Sequence, residues 1–108
     1  MTKGEMGGKK RIWKYQFEAL PGRHIIRMVL GAKIVSVQPQ HGRITIWAIV
    51  DRSFENVGID GKPSCRTFHV VMTGEEFEEC PGMIFLGTCQ FTSDGFVLHV
   101  FELGDLPG

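Results

Sequence analysis

The stretch Arg43-Ile44-Thr45-Ile46-Trp47-Ala48-Ile49-Val50-Asp51 decides the fold class. It alternates with period two. Ile44, Ile46, Ala48 and Val50 fall on one face, and Arg43, Thr45, Trp47 and Ile49 on the other. Side chains of a β-strand alternate between faces in this way, and β-branched residues suit its pleated surface. Turn residues bound the stretch: His41-Gly42 before it, and a loop over 52–63 after it, with Gly58, Asp60-Gly61 and Pro63.

Working outward, the same pattern recurs. Residues 11–18 alternate strictly, with Trp13, Tyr15 and Phe17 on the core side and Ile12, Lys14, Gln16 and Glu18 on the other. Pro21-Gly22 marks a turn. Further strands are expected over 24–30, 32–40, 64–72, 82–91 and 96–102, the last two joined by Asp94-Gly95, a strong hairpin signal. The run Glu75-Glu76-Phe77-Glu78-Glu79, which Thr73 is placed to cap, is the one segment that predicts a helical turn. The expectation is an all-β domain, a small seven-stranded β-sandwich or squashed barrel over 11–108, behind a disordered N-terminal tail at 1–10 that is rich in Gly and Lys. Trp13, Tyr15, Phe17, Ile44, Ile46, Leu98 and Val100 are the expected core. The strands at 43–51, 82–91 and 96–102 carry apolar residues on both faces, Met83, Phe85 and Phe91 being read as one side of the sixth. A second subunit is the economical source of cover for the spare faces, so a homo-oligomer, a dimer or higher, is expected.

The chain has 108 residues, 43% hydrophobic and 22% charged, as expected of one globular domain. No apolar run approaches the length of a transmembrane helix, and residues 1–10 do not read as a signal peptide, so no membrane association and a cytoplasmic location are expected. Cys65, Cys80 and Cys89 are odd in number and widely spaced, which suits reduced thiols rather than a disulfide framework. Formal net charge is zero but unevenly spread: residues 1–33 carry eight basic and two acidic side chains, and residues 34–108 four basic and ten acidic. A zero total argues against sequence-independent nucleic-acid binding, which needs a net basic footprint.

Catalytic motifs are absent. No Gly-x-Ser-x-Gly elbow, no phosphate-binding Gly-x-x-x-x-Gly-Lys, no dinucleotide fingerprint and no Cys-x-x-Cys occur, and the four histidines have no zinc-ligand spacing, although His69, His99 and Cys89 would lie on neighbouring strands. No catalytic residue, no metal and no cofactor are therefore expected, and the protein is read as a non-enzyme. What remains is a binding constellation: Arg23, His41, Arg43, Trp47 and Arg66. Arginine grips phosphate bidentately and an aromatic ring stacks a base, so these residues make a minimal kit for a small phosphate-bearing ligand. Trp and Arg are also enriched at subunit interfaces, where Trp47 would serve equally well.

The blocks Ile12-Trp13-Lys14-Tyr15, Gly31-Ala32-Lys33-Ile34-Val35-Ser36-Val37-Gln38, Trp47-Ala48-Ile49-Val50-Asp51, Leu86-Gly87-Thr88-Cys89-Gln90-Phe91 and His99-Val100-Phe101-Glu102 resemble, in order and spacing, a family of short phage-encoded proteins. The resemblance spans residues 12–102 and implies a viral origin and residence in an infected host cell. It carries no reaction and no site residues. Two roles fit: a counter-defence oligomer that sequesters a host nucleotide signal or blocks a host protein, and a virion-associated structural or assembly module.

Overall fold

Alternating strands that bury one face each need a second layer, and the chain supplies it by splitting its strands between two sheets. The computed structural model describes residues 9–54, 64–92 and 95–104. Seven strands lie among them: β1 (Lys10–Glu18), β2 (Gly22–Arg27), β3 (Lys33–Gln40), β4 (Arg43–Asp51), β5 (Cys65–Met72), β6 (Ile84–Phe91) and β7 (Phe96–Glu102). A three-stranded sheet A has the order β1-β4-β3 and a four-stranded sheet B the order β2-β5-β7-β6, all pairs antiparallel. The all-β expectation and the seven strands are seen. β1 starts at Lys10, whose neighbour Lys9 accepts a backbone hydrogen bond from Arg52. The rest of the expected tail lies outside the described residues.

The predicted apolar face of β4 is the centre of the core. Ile44, Ile46, Ala48 and Val50 are completely buried and face Phe68, Val70, Leu98, Val100 and Cys89 of sheet B. Phe17, paired with Ile44, stacks on Phe68 with ring centroids 5.9 Å apart. Trp13 departs from the expectation. It has the correct parity but is 39% exposed, because it pairs with the small Ala48 on an edge strand and has the Arg11 guanidinium 5.4 Å from its ring.

Two β-bulges adjust which residues face inward. One falls between Ile34 and Ser36 on β3 and turns Val35 out to solvent; the other falls between Phe85 and Gly87 on β6. A bulge inserts one residue and reverses parity beyond it. Phe85 therefore points outward against Phe101, while Gly87, Cys89 and Phe91 follow the inner face, and the grouping of Phe85 with Phe91 on one side is corrected. Gly87 faces Val37 of β3, where a Cβ would make ordinary van der Waals contact at 3.5 Å.

The run at 75–79 is not helical. β5 and β6 both pair antiparallel with β7, so they run parallel to each other, and residues 73–83 must return along the sheet to connect them. The return crosses the outer face of β7 as an extended strap. Phe77 anchors it, 5.3 Å from the Phe101 ring and edge-on to His69 at 6.3 Å. At its start, Thr73 Oγ1 and Thr88 Oγ1 bond the two ring nitrogens of His99, at 2.8 Å and 3.1 Å. At its end, Gly82 (φ +81°) lies so close to Gly104 that a Cβ on Gly104 would sit 3.3 Å from the Gly82 carbonyl oxygen. Helix propensity of the glutamates loses to a topological demand, because a single helical turn does not span the length of the sheet. The second apolar face of β7 is thus covered by the chain's own strap.

Leu98→Ala removes a completely buried side chain and is expected to cost about 2–5 kcal/mol in urea denaturation, with an unchanged m-value. Thiol labelling should also separate the cysteines. Cys65 is exposed and should react promptly under native conditions. Cys89 is buried, which pushes its thiol up to about 11, and it should react only when the chain unfolds.

Candidate functional site

The register of β1, β4 and β3 places the outward residues of sheet A in rows: Glu18, Arg43 and Gln40; then Gln16, Thr45 and Gln38; then Lys14, Trp47 and Ser36; then Ile12, Ile49 and Lys33. Side chains directly opposite across antiparallel strands approach closely, so Lys14 is the register neighbour of Trp47, with its ammonium drawn toward Gln40 at the Arg43 end. That neighbour was not assigned from the sequence, because single-strand parity says nothing about which residue of another strand stands alongside.

Polar side chains bridge the middle of this face. Gln40 Oε1 accepts from Lys14 Nζ at 3.1 Å and from Gln16 Nε2 at 3.3 Å, while Gln16 Nε2 also donates to Thr45 Oγ1 at 3.0 Å. The bridge crosses β4 from β1 to β3 and covers Thr45, which is completely buried although its parity is outward. Arg43 and Trp47 consequently stand on either side of a polar roof, about 13 Å apart along the strand. Trp47 is half-buried, and Arg43 is exposed with no ion-pair partner among the described residues. His41 (φ 54°) and Gly42 (φ 75°) form the left-handed pair that closes the β3–β4 hairpin and puts the imidazole at the Arg43 end. The face carries Lys10, Lys14, Lys33 and Arg43 against Glu18 and Asp51. Among the described residues only Lys10 of these forms an ion pair, with Asp51 at 3.0 Å.

The other two sequence-derived residues are elsewhere. Arg23 lies on the outward face of β2, in sheet B, paired in register with His69 and on the opposite side of the sandwich from Trp47. Arg66 has inward parity and is spent within the fold. Its Nε and Nη2 donate to Glu102 at 2.6 Å and 2.9 Å, and its Nη1 donates to the Ala32 carbonyl. The Glu102 hydrogen bonds raise the guanidinium pKa further. His41, Arg43 and Trp47 are therefore the three candidates that share a sheet.

Among the described residues no group of three or more His, Cys, Asp or Glu side chains is placed to hold a metal ion. His69 and His99 face outward from sheet B while Cys89 faces the core, so those three do not converge. His24 Nε2 bonds the Leu20 carbonyl oxygen at 2.8 Å, and its ring lies 4.8 Å from that of Phe17. Among the described residues no helix is long and apolar enough to cross a membrane.

A family model described as a domain of unknown function (DUF7352) matches residues 8–106, and the chain belongs to that family. No curated protein and no solved structure matches it.

The rim of the face makes a pH prediction. Asp51 is lowered from 3.8 to about 2, first by the Ser53 hydroxyl at 2.7 Å, then by the Ser53 backbone N–H at 2.9 Å, then by Lys10. A carboxylate with a depressed folded-state pKa contributes stability that is complete above its unfolded value and lost as pH falls through its folded value. Thermal unfolding should therefore show a loss between about pH 4 and pH 2 that Asp51→Asn flattens, with an unchanged slope above pH 5.

Proposed function

We propose that the domain is a non-catalytic binding protein that holds a small phosphate-bearing molecule on the outer face of sheet A. The observation that carries this reading is the arrangement of Trp47 beside Lys14, with Arg43 and His41 about 13 Å further along the same strand and hairpin. A single phosphate does not span that distance. A ring stacked on Trp47 with a chain of phosphates running over the Gln40 bridge toward Arg43 does, which favours a nucleoside polyphosphate or an oligonucleotide signal over inorganic phosphate. The lysine, arginine and amide side chains over the face stabilise anions, which suits capture of a phosphate-bearing molecule. The resemblance to short phage-encoded proteins fits a role in an infected cell, where withdrawing a host nucleotide signal needs affinity and no chemistry.

A second reading, a virion-associated structural or assembly module, is favoured by a different observation. The outer face of sheet B exposes Ile25 (71%), Phe85 (55%) and Phe77 (43%), which suits contact with protein.

Calorimetry with cyclic di- and oligonucleotides and ADP-ribose derivatives decides between them. Binding in the micromolar range or tighter is expected for at least one ligand class. Trp47→Ala, Lys14→Ala and Arg43→Ala should each weaken it by about ten-fold or more, and the ligand should be recovered intact after denaturation. No heat with the panel, or equal affinity for all four proteins, overturns the ligand reading and moves the assembly reading ahead. A cleaved ligand overturns the non-catalytic part.

A further inference from the structure

The outer face of sheet B is a step. The strap at 73–83 raises the part over β7 and the neighbouring His69 and Val71 of β5, while β2 lies bare beside it. The two halves have opposite charge. β2 presents Arg23 and Arg27 outward with Ile25 between them, and the strap presents exposed Glu76, Glu78 and Glu79 around Phe77. Arg23, Arg27, Glu76 and Glu78 form no ion pair among the described residues. Ile25 is 71% exposed on the low half, and Phe77 and Phe85 are 43% and 55% exposed on the high half.

Each half thus offers what the other lacks in height, in charge and in apolar surface. We infer that this face binds a second copy of the chain in an isologous dimer. A two-fold axis parallel to the strands, running over β5, sets the strap of each copy over β2 of the other. Arg23 and Arg27 of one copy then meet Glu76 and Glu78 of the other, twice over, and Ile25 meets the exposed part of Phe77. A hydrophobic partner of another kind would match the apolar surface but has no reason to match both signs of charge in that order.

Edge-to-edge pairing is the poorer route to a dimer for two of the four edges. β3 carries a bulge and Pro39, and β6 carries a bulge, and both devices disrupt strand addition. The face measures roughly 20 Å by 25 Å, at the low end of what a stable interface covers, so the dimer is expected to be micromolar and weakened by salt. It is independent of the ligand reading, since Trp47 lies on the other side of the sandwich.

Sedimentation equilibrium of the full chain tests the inference. The wild type should dimerise at low ionic strength, at concentrations of about 100 µM or below. Arg23→Glu/Arg27→Glu and Glu76→Lys/Glu78→Lys should each raise the dissociation constant by about ten-fold or more, with circular dichroism unchanged. Mixed together, the two variants should form a heterodimer, because the new acids of one face the new lysines of the other while the native pair of charges is kept once. Trp47→Glu should leave the mass unchanged. A monomeric wild type, a variant that associates as tightly as the wild type, or a mixture that stays monomeric overturns it.

Discussion

The fork of Arg66 holds together the part of this fold most in need of holding. The chain leaves sheet A after β1, adds β2 to sheet B and returns to sheet A for β3, so residues 28–32 cross between the layers. A crossing strand leaves backbone groups in the interior with no ladder to satisfy them. Arg66 supplies the Ala32 carbonyl with a donor and is itself neutralised bidentately by Glu102 on β7, two strands from β2. Tyr15 does the matching service for a donor, its hydroxyl accepting from the Val29 N–H at 3.1 Å. β2, β5 and β7 of sheet B and β1 of sheet A are thereby all tied to one crossover. Glu102 and Arg66 are only partly exposed, so neither is easily left alone: removing one partner would strand the other's charge in a poorly solvated place.

With the crossover secured, the sandwich presents two outer faces of different character. That of sheet A is polar and self-bridged, with long side chains laid across β4 until even Thr45 is sealed from solvent. That of sheet B is aromatic under the strap and bare beside it. The sequence charge asymmetry cuts across this division. The early basic residues are carried on β1, β2 and β3, while the acidic run rides on the strap. A chain with no net charge therefore displays separate patches of each sign, and patches, not totals, govern encounter with a partner.

The strap also alters the argument from two-sided hydrophobicity. Apolar residues on both faces of β7 imply cover on both sides, and that inference is physically sound. The cover on β7 comes from the same chain, as Phe77 lies on Phe101 and His69. Exposed apolar surface remains at Ile25 and Phe85, beside the strap rather than beneath it. His69 Nδ1 is buried there with no hydrogen-bond partner among the described residues, a cost tolerated beneath the aromatic cover.

Local alternation was enough to identify β4 and β7 to the residue, because a strand with a buried face repeats every second position whatever it pairs with. It also placed Ile44, Ile46, Leu98 and Val100 in the core and Arg43 with Trp47 on a common outer face. Everything that depends on a second strand was out of its reach. The bulges that turned Phe85 outward, the exposure of Trp13, the nearness of Lys14 to Trp47 and the distance of Arg23 from both follow from register and layer, which single-strand parity does not encode. The clearest case is Arg66. As a residue in sequence it is a cation on a strand, assigned to a phosphate but equally fit for a carboxylate. Only the tertiary structure brings Glu102 and the Ala32 carbonyl to its two edges, and a guanidinium whose donors are already taken by a charge-assisted pair in the interior is part of the frame rather than of the site.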